Sequence, residues 1–334
     1  MRMYQSLCVL IATIAYATAT GHCQTIQSYS TAVTFQSATY RDMSQVLARE
    51  AMAASVTVQA TLGFPEQVKD HYPAVIVVHT LAGYRDVNEG YVAAELRKVG
   101  FATLTYDSFA ARGTTGVALQ GSPGYLAIGV ADAYAALRLL SREPRVDAKH
   151  IAIIGFSYGA EVAHLTAFEA LRSALNPGPD QFAAHVAFYP SGTFGAVAEP
   201  GAYTGSPVLM LLGDKDDNLP PAKIESYLAY ASAAGVPAPI QKVVYPGAYH
   251  AWTVPDLATA RFYPDLVSIK KCPFFLLSPK RPALLIDGEA KPFDPSAFRA
   301  CLAAAPGYSM GFDAAIRDKS IADTISFLQQ NARR

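Results

Sequence analysis

The chain has 334 residues, of which 51% are apolar and 16% charged, with 27 basic and 27 acidic side chains. This is enough apolar material for a sizeable core in one large α/β domain or two small ones. A formal net charge of +0 without a basic run argues against nucleic acid as a partner.

Arg2 precedes an apolar run from Leu7 to Tyr16 that is too short to span a bilayer comfortably. Ala17, Thr18 and Ala19 then give the small-x-small spacing of a signal-peptidase site. The expectation is a cleaved secretory signal, residues 1–21, ending near Ala19 or Gly21, followed by a single domain over 22–334. The protein would be secreted or periplasmic, with no stable membrane insertion after cleavage. In such an oxidising compartment Cys272 and Cys301 are natural disulfide partners, closing a loop worth roughly 3–4 kcal/mol in the chain-entropy model. Cys23 is left over. No Cys or His spacing suggests a metal site, and the chemistry read below requires no cofactor.

Residues 25–54 read as polar, with helix favoured from Met43 to Ala53. Ser55 to Leu62 alternates like an antiparallel edge strand. Tyr72 to His79 is a continuous apolar run, the mark of a central parallel strand covered on both faces. A helix over Asn88–Val99 and a strand over Phe101–Tyr106 follow, then a Gly/Thr/Ser-rich loop over 114–125 and a helix over Ala127–Ser141. Strands at His185–Pro190, Pro207–Gly213 and Pro239–Tyr245 and a helix at Ala222–Ala234 continue the alternation. The pattern predicts an α/β fold with a doubly wound, mostly parallel sheet flanked by helices. Residues 253–307, rich in Pro, Lys and aromatic residues, read as an insertion before a last helix over Phe312–Gln330. Its aromatic residues (Phe262, Tyr263, Phe274, Phe275) would find cover either as a flap over the active site or against the sheet edge.

Ile151 to Ile154 reads as a buried strand running into Gly155-Phe156-Ser157-Tyr158-Gly159, with helical spacing from Ala160 to Ala170. A G-x-S-x-G pattern between strand and helix is the context of a nucleophile elbow; the plain alternative is a βα turn with a serine N-cap. Small residues at 155, 159 and 160 suit so tight a turn, and the Tyr158 amide would face a developing oxyanion. In an open α/β sheet the site lies beyond the C-terminal strand ends. That rule gathers Ser157 with the Gly213–Pro220 and Tyr245–Trp252 loops, giving the order serine, acid, histidine. His250 is the only histidine on a strand-end loop downstream of both. Among Asp214, Asp216 and Asp217, the spacing from Gly213 and Pro220 favours Asp216, with Asp217 second.

Val77–Gly83, Asp107–Gly113, Gly155–Gly159, Gly213–Pro220 and Tyr245–Trp252 together resemble the dienelactone hydrolase family of α/β hydrolases, over about residues 50–252 and the last helix. The resemblance implies an α/β-hydrolase fold, places Ser157, Asp216 and His250 on the family's triad, and places the Leu81 and Tyr158 amides on its oxyanion hole. Two departures argue against a dienelactone as substrate: Ser157 stands where those enzymes use cysteine, and His79-Thr80 lies near where they carry a glutamate. Arg112, after a strand end, is expected either to steer an acidic or polar acyl group or to pair with Asp107 or another carboxylate. Trp252, beside His250, is expected as a further substrate contact. The reading is an exported serine hydrolase acting on small carboxylic esters through an acyl-enzyme. The rivals are a prolyl-oligopeptidase-like serine peptidase, whose gating domain the ~50 residues before the first strand cannot build, and a non-catalytic binding protein of the same fold. Oligomeric state is left open.

Overall fold

The computed structural model describes residues 30–332; the expected signal and Cys23 lie outside them. Strands β1 (Ser30–Thr39), β2 (Ala54–Gly63), β3 (Tyr72–Val78), β4 (Ala102–Tyr106), β5 (Val146–Phe156) and β6 (His185–Phe188) are followed by β7 (Phe194–Ala196), β8 (Val208–Gly213) and β9 (Ile240–Tyr245). The helices between them are α1 (Met43–Leu47), α2 (Tyr91–Lys98), α3 (Gly116–Leu119), α4 (Tyr125–Leu140), α5 (Tyr158–Leu165), α6 (Glu169–Leu175) and α7 (Pro221–Ala233). The main sheet has the order β1-β2-β4-β3-β5-β6-β8-β9. Its first two strands are antiparallel to their neighbours and the other pairings are parallel.

The apolar run of β3 is continuous because each face meets a different core. Ala74, Ile76 and Val78 join Tyr134, Leu137 and Val162 from α4 and α5. Val75 and Val77 join Val92 and Leu96 from α2, with Ile321 and Leu328 of the last helix α9 (Ala314–Asn331). With two buried faces, alternation has nothing to separate.

Three local expectations change. Ser30–Thr39 is a strand, so β2 is an interior strand rather than an edge. β1 escapes notice because only Phe35 and Ser37 along it are buried, which leaves a mostly polar sequence. Helix over 43–53 shortens to α1, capped by the Asp42 carboxylate on the Gln45 amide. The helix after Ser157 stops at Leu165, where the Thr166 hydroxyl donates back to the Ala163 carbonyl (2.8 Å), and α6 restarts at Glu169.

The 253–307 segment holds β10 (Arg261–Tyr263), β11 (Phe274–Leu277), β12 (Ala283–Ile286), β13 (Glu289–Pro292) and α8 (Pro295–Ala304), and β14 (Tyr308–Met310) follows it. β10 pairs with β14, while β13, β12 and β11 form a small sheet completed by β7. Cys272 and Cys301 form a disulfide. Phe274 stacks on Tyr227 of α7, and Phe275 packs against Phe194, Phe293 and Phe298. These two rings therefore find their cover beside α7 and β7, whereas Phe262 stays half exposed.

Candidate active site

β5 delivers Ser157 into a turn with φ 53° and ψ −106°, a conformation costly for a residue with a side chain. Its neighbours explain why the turn tolerates little else. A Cβ on Gly155 would lie 2.0 Å from the Gly159 carbonyl oxygen, and one on Gly159 would lie 2.4 Å from that of Val78. The turn is held by the Ser157 amide on the Phe188 carbonyl (3.0 Å) and the Gly159 amide on the His79 carbonyl (3.0 Å).

The β8 and β9 loops meet over it. Ser157 Oγ lies 2.8 Å from His250 Nε2, and His250 Nδ1 lies 2.7 Å from Asp216 Oδ2. An ionised carboxylate only accepts, so it fixes the imidazole proton on Nδ1 and leaves Nε2 facing the serine as a base. The other Asp216 oxygen accepts from the Asn218 and Leu219 amides at 3.0 and 3.2 Å. All three side chains are buried.

The three aspartates of this loop have separate work. Asp214 is exposed and accepts from the Gly247 amide (2.6 Å), tying the acid loop to the histidine loop. Asp217 turns the other way and accepts from the Ser309 amide (2.7 Å).

Across the serine runs the loop after β3. Tyr158 is the first residue of α5, so its amide has no carbonyl four residues back to serve. Among the described residues, neither this amide nor that of Leu81 has an acceptor within the protein. The loop is shaped from beneath. His79 Nε2 accepts from the Ser108 amide (3.0 Å), which puts its proton on Nδ1, toward the Thr80 carbonyl (2.7 Å). Glu89 reaches back from a π-helical turn, Asp86–Gly90, and accepts from the Thr80 amide (3.0 Å), the Arg85 amide (2.9 Å) and Asn88 Nδ2 (2.9 Å). Burial pushes its carboxyl above the usual range, with its own amide, His79, the Thr80 amide and Asn88 opposing. A glutamate thus lies beneath this loop although none lies within it. Asn88 also accepts from Thr253 Oγ1 (2.6 Å), so the Tyr189 hydroxyl must donate to Thr253. The Tyr189 ring in turn meets His250 edge-on at 5.1 Å. Asn88, Thr253 and Tyr189 escape a sequence reading because their partners lie on distant strand ends, and Glu89 escapes it because its partners, though near in sequence, are backbone amides that no motif marks.

Two expected substrate contacts lie elsewhere. Arg112 is engaged by Asp132, Thr39 and the Ala38 and Ser108 carbonyls, which leaves no guanidinium donor for a ligand. Trp252 is fully buried, donates to Ser320 Oγ (3.1 Å) and packs on Tyr189 and Tyr245. The positive φ of Ala251 (62°) reverses the chain between His250 and Trp252, so the indole joins the core under α9.

A cavity of about 700 Å³ lined by Thr61, Tyr84, Arg97, Pro255 and Arg317, among others, includes none of Ser157, Asp216 and His250. Among the described residues no group of His, Cys, Asp or Glu is arranged to hold a metal ion.

A doubly wound sheet with a serine at a strand–helix elbow, and an acid and a histidine on later strand ends, defines an α/β hydrolase. A sequence profile of the dienelactone hydrolase family matches residues 58–265, more than half of the chain. The chain belongs to the dienelactone hydrolase family and is a hydrolase. No curated protein matches it in sequence. Among solved structures, a dienelactone hydrolase-like promiscuous phosphotriesterase, P91 from metagenomic libraries, is similar with a TM-score of 0.56 and 18% identity, over 90% of this chain and 98% of that one. A Klebsiella pneumoniae protein assigned to the dienelactone hydrolases is similar over 66% of this chain and 88% of its own, with 21% identity and a TM-score of 0.45.

Proposed function

We propose that the chain is an exported serine hydrolase that cleaves small carboxylic esters through an acyl-enzyme. The observation that carries this is the unbroken relay from Asp216 through His250 to Ser157 Oγ, seated at a strained elbow. His250 Nε2 takes the serine proton as Oγ attacks the ester carbonyl, and Asp216 stabilises the imidazolium that results. The Leu81 and Tyr158 amides receive the oxyanion, each contributing about 3–4 kcal/mol in sites of this kind. His250 then returns the proton to the leaving alcohol. Water attacks the acyl-Ser157 ester with His250 again as base, and the acid product leaves.

Export is supported by the signal-like N-terminal sequence and by the Cys272–Cys301 disulfide, a bond that persists in oxidising compartments. Among the described residues no helix is long and apolar enough to cross a membrane.

A fluorophosphonate probe tests the nucleophile. The expected result is stoichiometric labelling at Ser157, with hydrolysis of short p-nitrophenyl esters lost in proportion. Unlabelled Ser157 in protein that still turns over esters would overturn the reading.

A further inference from the structure

The 253–310 segment returns to both loops of the relay. Tyr308, buried on β14, sets its ring edge-on to His250 at 5.0 Å and 75°, and Tyr189 makes the corresponding contact at 5.1 Å and 65°. The Asp216 hydrogen bond fixes one ring nitrogen but leaves the ring free to tilt about that bond. Two aromatic edges remove that freedom.

The strand that carries Tyr308 is tied on every side. Met310 pairs with His250 in parallel, and the Gly311 amide donates to the His250 carbonyl (3.0 Å). Ser309 holds Asp217 through its amide, and Lys270 Nζ donates to the Gly307 carbonyl (2.8 Å). On the acid side, Asn218, whose amide serves Asp216, accepts from Ser268 Oγ and the Ile269 amide, both at 3.1 Å. The Cys272–Cys301 disulfide joins the stretch that follows Ile269 to α8, which leads into Gly307 and Tyr308.

We propose that Tyr308 is a positioning residue for His250, and that the disulfide-closed segment is the brace that keeps histidine and acid loops in register. The inference rests on the reading of His250 as the base. A ring displaced by about 1 Å loses its alignment with Ser157 Oγ, and misplacements of that size cost on the order of 100-fold in rate. Substrate binding does not depend on the same alignment.

The test is steady-state kinetics on a short p-nitrophenyl ester, with fluorophosphonate labelling rate and thermal melting, in the full chain. Tyr308→Phe keeps the ring and should stay within about twofold of wild type. Tyr308→Leu should lower kcat and labelling rate together by about 10–100-fold, with KM within about threefold. The Cys272→Ser/Cys301→Ser double variant should show the same split to a smaller extent, and it serves as the reading should Tyr308→Leu fail to fold. Unchanged kcat in either the folded Tyr308→Leu protein or the double variant would overturn the proposal, as would a loss confined to KM. His250→Ala separates the two readings. If it retains turnover, His250 is not the base; if it is inactive while Tyr308→Leu is fully active, only the positioning role fails.

Discussion

Arg112 and Asp132 form a buried, bidentate ion pair, with Nη1 to Oδ2 at 2.8 Å and Nη2 to Oδ1 at 2.9 Å. The remaining guanidinium donors go to Thr39 Oγ1 and to the Ala38 and Ser108 carbonyls, so one side chain pins the end of β1 and the loop after β4 to α4. Removing one member of such a pair leaves a buried charge uncompensated, at about 3–5 kcal/mol. Arg112→Met should therefore lower the melting temperature sharply, and Arg112→Met/Asp132→Leu should recover part of the loss. KM for neutral and acidic esters should stay together in whatever fraction folds. A rise in KM confined to acidic esters would instead put the arginine in contact with substrate.

The separate partners of the three aspartates predict a ranking. Asp216→Asn breaks the tautomer control of His250 and should lower kcat by about 10⁴-fold, as in comparable triads. Asp214→Asn touches an exposed tie to Gly247 and should cost no more than a few-fold. Ser157→Ala should abolish turnover without unfolding the protein, since alanine fits the elbow. Turnover numbers for the three purified variants check the order, and a reversal of Asp214 and Asp216 would redraw the relay.

Glu89 predicts a defect of a different kind. It gathers the Thr80 and Arg85 amides beneath the loop that presents Leu81. Glu89→Ala should loosen the donor while leaving the nucleophile in place. An oxyanion donor acts mainly in the transition state, so kcat should fall by about 10–100-fold with little change in KM. Equal losses for ester hydrolysis and for binding of a non-reactive substrate analogue would assign Glu89 to ground-state binding.

What could be read from the sequence was what local physics writes locally. β3 and β5 show as apolar runs because both faces are covered, and the elbow shows because Gly155 and Gly159 have no room for a Cβ. β1 was illegible because one solvated face makes its sequence polar. Proximity along the chain misled at Trp252, where a single backbone reversal at Ala251 sends adjacent side chains to opposite destinations. Arg112 and Tyr308 depend on partners brought together by the sheet, and nothing in their neighbours in sequence names those partners.

Behind the elbow, α5 buries two groups whose ionisation the fold opposes, and β6 buries a third. Burial pushes the Glu161 carboxyl up to about 8, against the help of the Gly192 amide, and neither of its oxygens has a side-chain partner. Burial holds His164 down to about 3, with His185 adding to the effect, and holds His185 down to about 4. A raised carboxyl binds its proton more tightly in the folded state, so Glu161 removes stability as pH rises from its ordinary 4.5 to about 8. The depressed histidines do the opposite, removing stability as pH falls below their ordinary 6.5 toward 3–4. Each group contributes about 1.4 kcal/mol per pH unit inside its window. Below pH 6.5 the two histidines outweigh Glu161, and above it Glu161 is the one of these three that still titrates. Thermal stability should therefore peak near pH 6.5 and fall by about 2 kcal/mol by pH 8. Glu161→Gln should flatten the alkaline limb and, because Glu161 offsets one histidine between pH 4.5 and 6.5, make the acid limb steeper over that range. Melting curves from pH 4.5 to 9 decide it, and an alkaline fall unchanged in Glu161→Gln would mean that another group carries it.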